Sequence, residues 1–271
     1  MGTRPFYPIT GTPPMTKESQ SRVDLKPEPF DLLIETKGYL VAWERASMCP
    51  CMPVSEKTDQ ADPNCERCKG MGWFYFGAAV EQQQDYGEFG LDPIQRYFVE
   101  SKSAMLIRGV ISSIQSQYTP WDKIGNWAAG TLMITVRGQN RLAIYDKLTI
   151  LDSEICYSEI VVADGTSVTA GRYAMTGINH IRSDEKEYIP DADFVLDERG
   201  RISWFAGHEP EEDERISLHY VCHPTYLVTE HPHTLRTTTK KFKILVPTTP
   251  SGDPQFLPVQ ALVRLDFIPG P

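Results

Sequence analysis

Short apolar segments with alternating side chains, separated by turn residues, occupy most of the chain after residue 104. Successive side chains of a strand point to opposite faces, so this alternation indicates strands with one buried face. In the clearest case, RISLHYVC, one face collects Ile216, Leu218, Tyr220 and Cys222. Helical periodicity is scarce, and its best example is a short stretch from Pro93 to Glu100. The sequence therefore predicts a mainly β fold, built as a β-barrel or a sandwich-like pair of sheets.

The remaining strand candidates lie on both sides of a loop that is rich in cysteine. Before the loop, alternation at Phe30, Leu32 and Ile34 and again at Tyr39, Val41 and Trp43 predicts two strands, with a turn at Lys37-Gly38. After it come WFYFGAAV, AMLIRGVISSIQ, GTLMITVRG, RLAIYDKLTILDS, EICYSEIVV and LPVQALVRLDF. Glu198-Arg199-Gly200 is typical of a hairpin turn. Cys156 and Cys222 stand alone on such strands, and we expect both to pack in the core.

Proline placement and these patterns together predict four consecutive segments. Many of the 21 prolines fall near the two ends of the chain. Because proline fixes φ and lacks an N–H donor, residues 1–35 are predicted to form an extended N-terminal arm. We expect a four-cysteine metal module between strands at 36–80, a β-barrel-like domain at 81–183, and a β-rich C-terminal region with an extended tail at 184–271.

The cysteine-rich loop reads CPCMPVSEKTDQADPNCERCKGMG and contains four of the six cysteines of the chain, Cys49, Cys51, Cys65 and Cys68. A C-x-x-C pair turns the backbone so that both sulfurs face one ion, and the glycines after it let backbone amides approach the thiolates. Cys49-Pro50-Cys51 supplies a second pair, although C-P-C is tighter than the usual spacing. The two-plus-two arrangement predicts a structural zinc site with four thiolate ligands.

Two other interpretations of the four thiols remain open at this point. An iron–sulfur cluster would use the same thiolates, although its cysteines usually have other spacings. Disulfides or free thiols are the third possibility, and disulfides are rare in reducing compartments. The segment before the cysteines has no apolar core of a secretory signal, and no run approaches the ~20 apolar residues of a membrane span. We therefore expect a protein that is intracellular or assembled inside a cell, with no membrane partner.

The net charge and the absence of known catalytic motifs limit the classes of function that the sequence supports. The formal net charge is −9, which disfavours a general nucleic-acid coat because phosphate binding needs a basic surface. No phosphate-binding loop, dinucleotide fingerprint, zinc-protease motif or nucleophile elbow occurs in the sequence. We therefore expect a protein that is not an enzyme. Basic residues gather once, in TLRTTTKKFKILVP, and a partner or a DNA backbone could contact Arg236, Lys240, Lys241 and Lys243.

Two stretches resemble virion proteins from the neck of tailed bacteriophages, the connector or collar layer between portal and tail. One is YLVAWERASMCPC…CERCKGMGWFYFG, in which a strand, a tight cysteine pair and a CxxCxG knuckle precede aromatic residues. The other is DFVLDERGRISWFAGHEPEEDERISLHYVCHPTYLVTEHPHTLRTT, in which an I-x-W strand and a polar loop precede a strand that ends in H-P-x-Y. The knuckle is also similar to the zinc region of J-type co-chaperones, but no J-domain motif accompanies it.

The resemblance implies a β-rich, non-enzymatic subunit with zinc bound by Cys49, Cys51, Cys65 and Cys68. It implies a protein of the virion, assembled in the host cytoplasm, that forms a ring with copies of itself. Its neighbours would be portal, adaptor or tail-terminator proteins, and DNA would pass through the lumen without sequence-specific binding. An acidic lumen would keep that DNA mobile. The alternative that the sequence leaves open is a zinc-ribbon protein that binds nucleic acid or acts as a regulator.

Overall fold

The computed structural model describes residues 27–52, 61–76, 89–113, 130–231 and 258–266. Two helices lie in these ranges, α1 (Pro27–Lys37) and α2 (Pro93–Lys102). Strands β1 to β14 span Tyr39–Met48, Trp73–Phe76, Met105–Ser113, Thr131–Val136, Lys147–Ile150, Ile155–Val162, Val168–Thr169, Met175–Arg182, Glu187–Tyr188, Phe194–Leu196, Ile202–Trp204, Arg215–Cys222, Thr225–Glu230 and Val259–Leu265. The prediction of a mainly β fold with a barrel is confirmed.

Six antiparallel strands form the barrel. Their order is β1-β3-β4-β14-β13-β5, and β5 pairs back with β1 to close the cylinder. Closure removes free edges from these strands, and a fully paired backbone is the stable solution for a small barrel. Among the described strands, the short strand β2 pairs with β1 alone, at the far end of β1 and outside the cylinder.

The alternation of β1 explains how one strand serves two cores. Val41 and Trp43 point into the barrel, where they pack with Ile134, Leu148 and other buried side chains. Leu40 and Ala42 point outward into a second cluster that includes Val99 of α2. This outer cluster joins α2 to the barrel.

Helix α2 starts with a capping box. The Asp92 side chain accepts from the Gln95 N–H, and the Gln95 side chain accepts from the Asp92 N–H. The predicted helix near Pro93 is therefore confirmed, and it covers one outer face of the barrel.

A second β unit is inserted between β5 and β13. It consists of the sheet β6-β12-β8-β9 and the small sheet β10-β11-β7, which share one core. The alternation predicted for β12 is confirmed, since four of its side chains are at most 1% exposed: Ile216, Leu218, Tyr220 and Cys222. The predicted hairpin turn joins β10 and β11, and Gly200 occupies a left-handed position there at φ +70°.

Residues 27–37 differ from the sequence prediction. The predicted strand through Phe30, Leu32 and Ile34 is wrong, because this segment is the helix α1. Its prolines lie in the first turn, where a missing N–H is tolerated, and good helix formers follow. Of the three alternating side chains only Ile34 is buried, so the alternation did not reflect a buried face. The helix also occupies the end of the predicted extended arm of residues 1–35, whose first 26 residues lie outside the described ranges.

The barrel also divides the chain differently from the predicted segments. Its strands come from residues 39–48, 105–150 and 225–265, so three of the four predicted segments contribute to one cylinder. Local patterns predict strands but carry no information about which distant strands pair. The prediction for Cys156 is wrong as well: this residue is exposed on the outer face of β6, while Cys222 is buried as expected. Neither of the two described helices is long and apolar enough to cross a bilayer.

One buried carboxylate, that of Asp146, joins β1 to the start of β5. Its Oδ2 accepts from the Trp43 indole N–H at 2.8 Å and its Oδ1 from the Ala46 N–H at 2.9 Å, and Oδ2 also accepts from the Ala143 N–H. The β1–β5 pairing ends at Glu44 and Lys147. The Asp146 side chain therefore continues the hydrogen bonding of β1 beyond the point where β5 begins.

Replacing Asp146 with Ala should destabilise the barrel by about 3 kcal/mol, because the buried Trp43 indole N–H and two partly buried backbone N–H groups lose their acceptor. Urea unfolding followed by tryptophan fluorescence measures the change in the free energy of unfolding. The control is Asp184→Ala, at an exposed carboxylate, which should change stability by less than about 0.5 kcal/mol. Equal stability of the two variants would contradict this role of Asp146.

Asp193 has a comparable position in the second β unit. It accepts from the Ile189 N–H at 2.7 Å, from the His208 ring at 2.6 Å and from the Lys186 ammonium at 3.1 Å. The Ile189 N–H, followed by the two side chains, stabilises the ionised form and lowers the pKa of Asp193 to about 2. A carboxylate with a depressed pKa stabilises the fold at pH values above its ordinary pKa, and this contribution disappears as the pH falls through the folded value.

Asp193→Asn should therefore lower the free energy of unfolding at pH 7 by roughly 2 kcal/mol. The difference from the wild-type protein should shrink as the pH drops below about 4 and vanish near pH 2. Denaturant unfolding at a series of pH values tests this. The neighbouring exposed Asp191→Asn is the matched control, and a difference at Asp193 that does not change with pH would contradict the assignment.

Candidate metal centre

The four clustered cysteines lie where the β1–β2 ladder ends. Met48 and Trp73 form the last pair of that ladder, and the Cys49 N–H donates to the Gly72 carbonyl at 2.8 Å just beyond it. The chain leaves β1 at Cys49 and returns to β2 after Gly72. The paired strands therefore fix both ends of the cysteine-rich loop, and we call its described residues, 49–52 and 61–72, the cysteine module.

Each pair of cysteines sits on its own tight turn. In the first, the Met52 N–H donates to the Cys49 carbonyl at 2.9 Å. In the second, the Lys69 N–H donates to the Cys65 carbonyl at 2.8 Å and the Met71 N–H to the Cys68 carbonyl at 2.9 Å. Gly70 and Gly72 both have φ near +80°, a conformation that side chains with a Cβ disfavour. The glycines after the second pair thus adopt the positive φ values that the sequence indicates.

The four sulfur atoms form one compact cluster. Cys49 Sγ lies 3.7 Å from Cys65 Sγ, Cys51 Sγ lies 3.4 Å from Cys68 Sγ, and all four sulfurs lie within 4.8 Å of one another. A metal ion with metal–sulfur bonds of about 2.3 Å in a tetrahedron places its ligands about 3.8 Å apart. The described geometry therefore fits one ion, and Cys49, Cys51, Cys65 and Cys68 could bind a metal.

The surroundings of the Cys65 and Cys51 thiols differ. Hydrogen bonds from the Cys68 and Arg67 N–H groups lower the pKa of Cys65 to about 7. Burial among the neighbouring thiols raises the pKa of Cys51 to about 12. A divalent cation bound by these side chains would favour the thiolate form at all four positions.

The module has almost no other means of holding itself together. Among its described residues, the buried hydrophobic side chains are those of Cys49 and Cys68. Outside the sulfur cluster it is anchored through β2, where the Trp73 and Tyr145 rings lie 4.4 Å apart and the Lys147 ammonium lies 4.1 Å from the Tyr75 ring. Four protein ligands would leave a tetrahedral ion with no open position for a substrate. A metal bound here would thus be structural.

The second set of predicted contact residues, Arg236, Lys240, Lys241 and Lys243, lies outside the described residues. Sequence reasoning missed a different basic region. A cleft of about 610 Å³ beside the cysteine module is lined by the cations Lys69, Lys102, Lys147, Arg172, Arg199 and Arg201. These residues are spread over more than 130 positions of the chain, so no local charge run marks them. We call this region the basic cleft.

Comparison with known proteins adds no assignment. No model of a known protein family matches the chain, and no curated protein shows significant similarity to it.

Cys68→Ser should remove the metal and unfold the cysteine module while leaving the second β unit intact, because the Cys68 sulfur is fully buried within the cluster. Elemental analysis of the purified variant should show metal loss. Hydrogen exchange should rise at residues 49–52 and 61–76 and stay slow in β6, β8 and β12. Cys156→Ser, at an exposed cysteine outside the cluster, is the control and should keep its metal. Uniform loss of protection across the chain would show that the module and the β units unfold together.

Proposed function

We propose that this protein is a non-enzymatic structural subunit of the neck of a tailed bacteriophage. In this proposal it forms a ring with copies of itself between portal and tail, around the DNA channel, and Cys49, Cys51, Cys65 and Cys68 bind zinc. The observation that carries the proposal is the position of the two stretches that resemble neck proteins. The first contains β1 and the second contains β13, and both strands pair with β5 in the barrel.

The second stretch also has the element order that its sequence pattern predicts. β10 and β11 form the hairpin around Gly200, a polar loop follows Trp204, and β12 leads through His223-Pro224 into β13. His223 is buried and its Nδ1 contacts the Ser153 carbonyl oxygen at 2.9 Å. The H-P-x-Y segment thus forms the junction between the second β unit and the barrel. A resemblance that coincides with the main junction of the fold supports a shared architecture more strongly than one confined to surface loops.

We propose zinc as the metal that the cluster binds. A maximum sulfur separation of 4.8 Å leaves room for a single ion and not for several iron and sulfide atoms between the thiolates. Four thiolates without an open position are typical of structural zinc. Elemental analysis distinguishes the two: zinc in a colourless protein supports the proposal, and iron with visible absorbance contradicts it.

The outer surface also has exposed apolar side chains that suit contacts between subunits. β6 is an edge strand of its sheet, and Ile160 and Val162 on its outer face are 71% and 55% exposed. Apolar side chains on an edge strand are a liability in a monomer and are suited to an interface. The net charge of −9 fits a ring through which DNA slides without sticking. We propose the virion as its location, with assembly in the host cytoplasm.

The neck proposal predicts that electron microscopy of the purified protein shows closed rings with a central channel. Native mass spectrometry should give the mass of a whole number of subunits greater than one. It also predicts binding to rings of the portal, adaptor or tail-terminator protein of the same phage. A ring held by close packing buries at least the area of a standard interface, so assembly should persist on dilution. A monomer at high concentration that binds none of these partners would contradict the proposal.

The alternative, a zinc-ribbon protein that binds nucleic acid, is favoured by one observation, the basic cleft. It predicts binding to DNA or RNA that weakens steeply with salt. Absence of binding at low ionic strength would exclude it.

A further inference from the structure

The basic cleft carries a high positive charge that neighbouring carboxylates neutralise only in part. Six cations and one carboxylate, Asp266, line it. Asp266 accepts a hydrogen bond from the Tyr173 hydroxyl and lies 3.9 Å from the Arg172 guanidinium. Two other cations are paired with acids at its edge, Lys102 with Glu44 at 3.2 Å and Arg201 with Asp197 at 2.8 Å. Although the protein as a whole is acidic, cations therefore outnumber carboxylates in this concave site.

Three of the six cations have no close counter-ion in the part of the chain that the structure describes. Within the described ranges, no carboxylate lies within 4 Å of the charged groups of Lys69, Lys147 or Arg199. Lys147 is half-buried above the Tyr75 ring, and burial lowers its pKa. A desolvated ammonium without an ion pair gains more from an incoming anion than an exposed one does. The cleft is therefore suited to accept carboxylates or phosphates.

A surface of opposite charge lies on the second β unit, which also contributes Arg172, Arg199 and Arg201 to the basic cleft. The β8–β9 connection and the loop before β12 together form a concave region lined by seven carboxylates and by the cations Lys186 and Arg215. We call this region the acidic lobe, and its exposed carboxylates include Asp184, Glu185, Glu211 and Glu212. Lys186 is already paired with Asp193. The lobe therefore projects uncompensated negative charge.

The sheet holds the two regions apart. β8 starts directly after Ala174, which lines the cleft, and ends directly before Ser183, which lines the lobe. β12 runs back between the same regions, and its eight residues span roughly 23 Å. Because both regions belong to one hydrogen-bonded sheet, the lobe of a molecule cannot reach its own cleft. Contact between the lobe and a cleft therefore requires two molecules.

We propose that the acidic lobe of one copy of this protein docks into the basic cleft of the next copy. This contact joins two different surfaces, so it is heterologous and repeats head to tail, as a ring requires. The inference rests on the proposed ring assembly for its setting and specifies the contact that builds it. Salt bridges give such a contact its register, and exposed apolar side chains beside each region add packing: Met71 and Tyr97 at the cleft and Val162 near the lobe.

Charge reversal on each side tests the contact. Arg199 and the carboxylates of Glu211 and Glu212 are exposed, and no described hydrogen bond of the fold uses their side chains. Arg199→Glu, and separately Glu211→Arg combined with Glu212→Arg, should each weaken self-association by about tenfold or more in sedimentation velocity. Higher ionic strength should weaken the wild-type contact in the same direction. The charge-matched controls are Arg96→Glu on α2, outside the cleft, and Glu28→Arg on α1, outside the lobe.

Mixing the two charge-reversed proteins gives the decisive result. Each variant alone loses the attraction around position 199 of the contact, whereas in an equimolar mixture the carboxylate introduced at position 199 faces the cations introduced at positions 211 and 212, and the unchanged cleft faces the unchanged lobe. Assembly should therefore return in the mixture, with the two proteins alternating. Wild-type assembly in both separate variants, no recovery on mixing, or a monomeric wild-type protein would overturn the inference.

The same variants distinguish the docking contact from nucleic-acid binding and from the neck function. If Arg199→Glu abolishes binding of a short DNA oligonucleotide but leaves self-association unchanged, the cleft is a nucleic-acid site and the inference is wrong. If the mixture reassembles but the assembly binds no portal or tail protein, the contact stands and the neck function fails. If neck partners bind while both reversed variants still form rings, the function stands and the contact fails.

Discussion

The closure of the barrel by β1 is the constraint on which the rest of the structure depends. β1 has three partners along its ten residues: β3 and β5 near its start, and β2 at its end. Asp146 lies where the pairing of β1 with β5 ends and its pairing with β2 begins. Its carboxylate accepts hydrogen bonds there from the Trp43 indole N–H and the Ala46 N–H. Since an unpaired buried donor is costly, this side chain lets one strand leave the barrel and continue into the cysteine module.

Strand existence could be predicted from the sequence because burial on one face leaves a period-two pattern, as in β12 and β1. The helix α1 could not, since its alternating Phe30 and Leu32 are both exposed and their spacing reflects no core. The sequence also could not predict which strands pair with each other. β5 joins β13 across the whole inserted β unit, and nothing local in either strand specifies that contact. Cys156 illustrates the same limit, because alternation predicts two faces but not which face is buried.

The four metal-ligating candidates were identifiable because their chemistry is local. Two short turns with glycines place pairs of sulfurs, and only the meeting of the two turns needed the fold. The basic cleft has the opposite character. Its cations come from the cysteine module, α2, β5 and the second β unit, so only the assembled fold brings them together. Neither Lys69 nor Arg199 differs in sequence context from an ordinary solvent-exposed residue.

The candidate metal site and the proposed docking contact are physically coupled through the cysteine module. Lys69 and Met71 closely follow Cys68 and form part of the cleft wall, and the module has few apolar residues to hold them in place. Lys147 of β5 also lines the cleft and contacts the ring of Tyr75 in β2, the strand that follows the module. An ion that fixes the four sulfurs would therefore also fix one wall of the cleft. If the proposed docking contact forms, a metal bound here would therefore control the shape of the docking surface, which gives the four cysteines a physical role beyond the module itself.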